Sequence, residues 1–146
     1  MKNTLVKIKI IFIGILIFSC NYIGKESGLN ANDIKYIQSM GLLDKNEKIY
    51  KFYSEFRTKN AGNFFTDKRI ATYWIDERNT EKNEISYAFY ADIKSIDTIY
   101  NAGVTYSPYL LVTKKDDTQF KVSVNGKREA IKAFFAEAIQ QWEYHK

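Results

Sequence analysis

KREAIKAFFAEAIQQWEY, residues 127–144, carries the clearest secondary-structure signal in the chain. Its apolar residues recur at the spacing of one face of an α-helix, while charged and amide side chains occupy the other face. We therefore predict an amphipathic C-terminal helix that takes its N-cap from Asn125 or Gly126. The aromatic stripe is expected to belong to the core rather than to a ligand site, and it consists of Phe134, Phe135 and Trp142.

The region before this helix alternates with a period of two, which is typical of strands. Residues 58–62 are predicted as a loop and residues 92–97 as a corner, and Pro108 requires an edge or a strand start because proline lacks the ladder donor. The fold class is therefore α+β (mostly β): a bent antiparallel sheet or partly open barrel of six or seven strands, capped by the C-terminal amphipathic helix. A short helix is predicted over 33–41. The predicted strands that follow it are 48–56, 63–66, 69–76, 84–91, 98–100, 106–113 and a last one around Phe120, Val122 and Val124.

The first twenty residues have the pattern of an export signal. Lysines precede an uncharged stretch whose apolar core, residues 10–18, is too short to span a bilayer but fits the h-region of a signal peptide. The core ends on Ile17-Phe18-Ser19-Cys20, in which a small residue stands directly before a cysteine. This ending resembles the lipobox of bacterial lipoproteins.

The lipobox resemblance implies cleavage before Cys20, a diacylglycerol on its thiol and often a further acyl chain on the new amino group, with fatty acids such as palmitate. Cys20 is the only cysteine, so lipidation also accounts for an unpaired cysteine in an exported chain. We predict a signal peptide over 1–19, a lipidated cysteine and tether over 20–31, and a folded domain over 32–146. The domain is then anchored on the exported side of the cell membrane or outer membrane. The alternatives are an ordinary secretory signal and an uncleaved N-terminal anchor.

Charge and composition limit the classes of partner and of functional site that are expected. Residues 1–19 hold three lysines and no acidic residue, so their removal lowers the formal net charge from +5 to +2. A nucleic-acid-binding domain is expected to be more basic than this. The only histidine, His145, is next to the C-terminus, so His/Cys metal sites are not expected. Neither a glycine-rich phosphate loop nor a nucleophile motif occurs, and we predict no catalytic residues and no cofactor.

Three stretches of the domain share a recognisable pattern. Residues 42–49 read Leu-Leu-Asp-Lys-Asn-Glu-Lys-Ile, residues 63–70 read Asn-Phe-Phe-Thr-Asp-Lys-Arg-Ile, and an isoleucine corner ends the stretch 85–96. Together they resemble bacterial pleckstrin-homology-like domains, and the resemblance extends over about residues 42–144. It implies a seven-stranded bent sheet capped by a C-terminal helix, with no enzymatic activity and no settled ligand.

Two clusters are candidate contact sites. Basic residues near the first hairpins are candidates for contact with anionic lipid headgroups, and they are Lys51, Arg57, Lys59, Lys68 and Arg69. Aromatic residues around Pro108 form a candidate partner patch, and they are Tyr100, Tyr106 and Tyr109.

The leading hypothesis is a membrane-tethered, non-catalytic binding or scaffold module for a protein or peptide partner, bound at a sheet edge or loop surface. A small exported enzyme or inhibitor, and a structural envelope protein, are the alternatives. The oligomeric state is left open.

Overall fold

A computed structural model describes residues 28–146 of the chain, so the predicted signal peptide and Cys20 lie outside the described residues. Two short 3₁₀ helices, Thr80–Lys82 and Tyr90–Asp92, flank β4. The α-helices and strands, in chain order, are α1 (Ala31–Ser39), β1 (Ile49–Tyr53), β2 (Ala61–Thr66), β3 (Arg69–Trp74), β4 (Glu84–Phe89), β5 (Ile93–Ile99), β6 (Tyr109–Lys114), β7 (Gln119–Ser123) and α2 (Arg128–His145).

The strands form two antiparallel sheets that do not close into a barrel. One sheet has the order β1-β2-β3-β4 and the other the order β5-β6-β7, so each sheet is built from sequential neighbours. This arrangement, with α2 at the end of the chain, confirms the predicted fold class. Pro108 comes directly before β6, where its missing N–H costs no ladder bond.

The main core lies between the two sheets and α2. Phe134 and Phe135 of α2 are fully buried, and Phe134 meets Phe65 of β2 edge to face with ring centroids 5.2 Å apart. Trp142 is partly buried against the same cluster. The aromatic stripe is therefore core, as predicted, and α2 holds the sheets together through it.

A second core, which was not predicted, covers the opposite face of the four-stranded sheet. Helix α1 and the segment that follows it place Ile37 and Leu42 against Phe64, Ala71 and Tyr73. Asn30 is the N-cap of α1, and its side chain accepts from the amides of Asn32 and Asp33 in a capping box. Helix α1, which corresponds to the helix predicted over 33–41, is thus packed on the sheet.

Three local predictions were wrong. Residues 93–97 of the predicted corner 92–97 belong to β5, which runs on into the predicted strand 98–100; a register shift between Ile93 and Ser95 breaks the alternation that identifies a strand. Strand β2 begins at Ala61, since Gly62 lets the rings of Tyr73 and Phe52 approach where a Cβ would overlap them. The N-cap of α2 is Lys127, which makes no side-chain capping bond.

Candidate functional site: the open groove beside β4

Strand β4 is an edge of its sheet, and its ladder shows which backbone groups face outward. The Tyr90 N–H donates to the Lys68 carbonyl at 3.1 Å, which continues the β3–β4 register by one pair. Bonded and non-bonded pairs alternate in an antiparallel ladder. The N–H and C=O groups of Ile85, Tyr87 and Phe89 therefore point away from β3, and no strand among residues 28–146 pairs with them.

Strand β7 is an edge of the other sheet, and the same argument applies to it. The Val124 N–H donates to the Pro108 carbonyl at 3.0 Å, so the backbone groups of Gln119, Lys121 and Ser123 face away from β6. The Ser123 N–H donates to Asn63 Oδ1 at 2.9 Å, which joins β7 to β2 at one end. No strand in the described part of the chain, residues 28–146, pairs with this edge of β7.

A groove separates the two open edges. It has a volume of about 660 Å³, with β4 on one side and the β6–β7 hairpin on the other. A second cavity of about 470 Å³ continues it past Thr72, Trp74 and Lys121. Both volumes are within the usual range of ligand pockets. The lining of the larger cavity consists of residues 85–89, Asp92, 114–116 and 118–120.

One rim of the groove is an apolar strip formed by Ile85, Tyr87 and Phe89. These side chains are 43%, 40% and 37% exposed, whereas Ala88 on the other face of β4 is buried. Tyr90 is packed, and its burial raises the pKa of its hydroxyl, which donates to the Thr66 carbonyl at 2.6 Å. The Tyr87 side chain, in contrast, is 40% exposed, so part of its ring is available to a partner.

A buried ion pair supports this strip from beneath. The Arg69 guanidinium lies 5.1 Å from the centroid of the Tyr87 ring and 4.4 Å from that of Phe89. Its Nη2 and Nε donate to the Glu47 carboxylate at 2.7 and 2.9 Å, and both side chains are almost completely buried. Arg69 thereby fixes the rings of the strip to the segment that precedes β1.

The positive and negative formal charges that line the larger cavity of the groove are equal in number. Asp92 and Asp116 line the larger cavity together with Lys114 and Lys115, which leaves no net charge there. Hydrogen bonds from the side chain and the backbone of Thr118 lower the pKa of the Asp116 carboxyl, so Asp116 is ionised at neutral pH. The groove therefore has no charge preference, and its lining offers apolar surface and backbone edges.

Four of the five predicted headgroup-contact residues are paired with carboxylates. Lys51 pairs with Glu137 at 2.5 Å, Lys59 with Glu77 at 2.5 Å, and Lys68 with Asp44 at 3.1 Å. Arg69 is buried, and Arg57 is exposed. Headgroup contact stays a prediction, but carboxylates already neutralise most of these cations.

The predicted tyrosine patch is spread over different surroundings. Tyr100 packs on Phe135 of α2, and the Lys121 ammonium lies 4.8 Å from the centroid of the Tyr109 ring. Tyr106 is 74% exposed in the loop between β5 and β6. None of the ring contacts within residues 28–146 joins two of these three tyrosines, so the structure does not assemble them into a stacked surface.

The chain was compared with known proteins. No protein-family model matches it, and no curated protein matches it. It is similar to the crystal structure of a DUF1696 family protein with a pleckstrin-homology domain from Shewanella loihica PV-4, at 17% identity and a TM-score of 0.46. That match covers 75% of this chain and 93% of the other. Membership of a pleckstrin-homology-like family stays a prediction, although the seven strands and C-terminal helix that it implies are present.

Metal-binding clusters and membrane-spanning helices are the remaining features to consider. Within residues 28–146, no cluster of three or more His, Cys, Asp or Glu side chains is arranged to hold a metal ion. No helix in the same range is long and apolar enough to cross a membrane.

Proposed function

We propose that this chain is a lipid-anchored lipoprotein whose domain is a non-catalytic module that binds a protein or peptide partner. The observation that carries the binding role is the groove beside β4, where an exposed apolar strip borders an unpaired sheet edge. Exposed sheet edges attract further strands, and natural proteins usually cover or charge them. An edge left open with apolar side chains is therefore best explained by a partner that covers it.

The non-catalytic part of the proposal is supported by the chemistry of the lining. The charged groups of the larger cavity are surface carboxylates and lysines. The buried pair Arg69 and Glu47 is engaged in hydrogen bonds to each other and to Gly41, Asp44 and Thr66. General acid–base catalysis needs a group with a tuned pKa facing the substrate. The groove supplies apolar and backbone contacts instead.

The role of the groove is tested by partner capture in native membranes. We expect Ile85→Lys to abolish chemical crosslinks between the full-length chain and its partner, because a charge is placed on the apolar strip. Tyr106→Lys is the matched control, since it changes an exposed aromatic residue on another surface. If Tyr106→Lys loses the crosslinks and Ile85→Lys keeps them, the partner binds at the β5–β6 loop and the groove assignment is wrong.

Membrane attachment is tested at Cys20. We expect Cys20→Ala to leave an unprocessed precursor or to release the protein from membranes, because two or three acyl chains supply the anchoring free energy at about 0.8 kcal/mol per buried methylene. The measurement is fractionation together with the gel mobility of the product. Ser19→Ala is the control, as it keeps a small residue before the cysteine and should be processed normally. Identical fractionation and mobility of Cys20→Ala and wild type would refute lipidation.

A further inference from the structure

We propose that β4 binds an uncharged, extended segment of the partner as an added antiparallel strand lying between β4 and the β6–β7 hairpin. This inference rests on the proposed binding function and specifies its partner. It makes Ile85, Tyr87 and Phe89 the pairing residues, through their backbone groups as well as their side chains.

The outward-facing backbone groups of β4 can pair with an added strand. Three alternate residues of β4 present both an N–H and a C=O to the groove, at the repeat that an antiparallel strand requires. The six residues of β4 extend over roughly 20 Å at about 3.4 Å per residue. A segment of six or seven residues therefore matches the edge, and main-chain pairing of this kind binds many peptides.

The side chains of β4 determine which residue types are favoured at each position of the bound segment. In an antiparallel pair, residues directly opposite each other share a face. Residues opposite Ile85, Tyr87 and Phe89 would cover the exposed strip, so apolar side chains are favoured at those positions. The intervening residues would lie opposite Ser86 and Ala88 and point into the groove, where small side chains fit.

Charge complementarity selects an uncharged occupant. The two carboxylates and two lysines of the larger cavity cancel, so neither an anionic headgroup nor a polycationic segment gains net attraction there. The β6–β7 hairpin forms the far wall of this cavity of about 660 Å³, so the added strand would lie between β4 and the hairpin. We therefore commit to a neutral peptide segment and treat a second copy of the chain as an outcome of the test.

The probe is the labelled peptide acetyl-Thr-Val-Thr-Val-Thr-Val-Thr-amide, titrated by fluorescence anisotropy against the full-length chain in detergent. N-methylation of the central Val should weaken binding about tenfold or more, because that N–H faces β4 and the methyl group removes the donor. N-methylation of the adjacent Thr, whose N–H faces away from β4, should leave binding within about threefold. Peptides with Glu or with Lys in place of all three Val are both expected not to bind.

Equal effects of the two methylations, or no binding of the parent peptide, would overturn strand addition. The assignment of partner binding to the groove survives that failure if Ile85→Lys still abolishes partner crosslinks in membranes, and it fails as well if the crosslinks persist, because the partner then binds at another surface. Sedimentation of the same preparation checks for a second copy as occupant. A dimer that dissociates in Ile85→Lys would overturn the peptide assignment, whereas a monomer that binds the parent peptide supports it.

Discussion

Replacing Arg69 with methionine is expected to lower the free energy of unfolding by about 3–5 kcal/mol, because it leaves the Glu47 carboxylate buried without its counter-charge. The Glu47 side chain is completely buried, and its remaining partners are the Thr66 hydroxyl at 2.5 Å and the Asp44 amide at 2.9 Å. Methionine preserves most of the side-chain volume, so the expected loss comes from the charge rather than from a cavity. Urea denaturation at neutral pH measures it.

Lys68→Met is the matched control for this prediction. Lys68 precedes Arg69 and also pairs with Asp44, but its ammonium is exposed, so we expect a change of less than about 1 kcal/mol. The double variant Glu47→Gln/Arg69→Met should recover much of the stability, since no uncompensated charge is then left in the core. Equal destabilisation by Lys68→Met and Arg69→Met would show that the buried pair does not stabilise the fold.

The same pair connects stability to the groove. The Arg69 guanidinium touches the rings of Tyr87 and Phe89 on one side and the Glu47 carboxylate on the other. Loss of Arg69 therefore removes the support of two residues of the apolar strip. Partner binding should weaken in Arg69→Met even under conditions where the domain is still folded.

Sequence patterns reveal neither the burial of Arg69 nor its role. Lys68 and Arg69 are adjacent basic residues in a hairpin, and both were predicted to contact headgroups. The difference between them arises because β3 pairs on both sides and the segment that holds Asp44 and Glu47 folds over it. The stretch 42–49 was recognised as a family-like pattern, but its folding over β3 is a tertiary feature that the pattern does not show, as is the second core beneath α1.

Helices and strands whose apolar residues recur at a regular spacing were predicted well. The spacing of α2 placed its ends within one residue, and most strands were found where alternation was regular. Strand β5 was missed in part because Ile93 and Ile96 are three residues apart, which breaks a period of two, and the strand accommodates this with a register shift between Ile93 and Ser95. A bulge is decided by pairing across strands, which the sequence of one strand does not show.

The groove also escapes prediction from the sequence. Ile85, Tyr87 and Phe89 alternate as the residues of a half-buried strand do, and nothing local distinguishes an edge strand from a central one. Their exposure follows from the sheet order, in which β4 is last and α1 covers the outer face of the preceding strands only. A partner at a sheet edge was predicted as a class, but the particular edge required the topology.

Phe134→Ala is expected to lower the free energy of unfolding by about 3–5 kcal/mol, because it removes a fully buried ring from the centre of the main core. That ring packs edge to face on Phe65 and lies 6.3 Å from the ring of Phe135, so the cavity would open between β2 and α2. The surrounding residues belong to both sheets and cannot collapse into it without moving a strand.

Lys132→Ala is the control on the same helix, since Lys132 is exposed and the substitution keeps the helix propensity. We expect it to change stability by less than about 0.5 kcal/mol. Thermal and urea denaturation of the two variants distinguish a helix that completes the core from one that merely lies on the surface. If Phe134→Ala costs no more than Lys132→Ala, the sheets hold together without α2, and the capped architecture does not describe how the domain is stabilised.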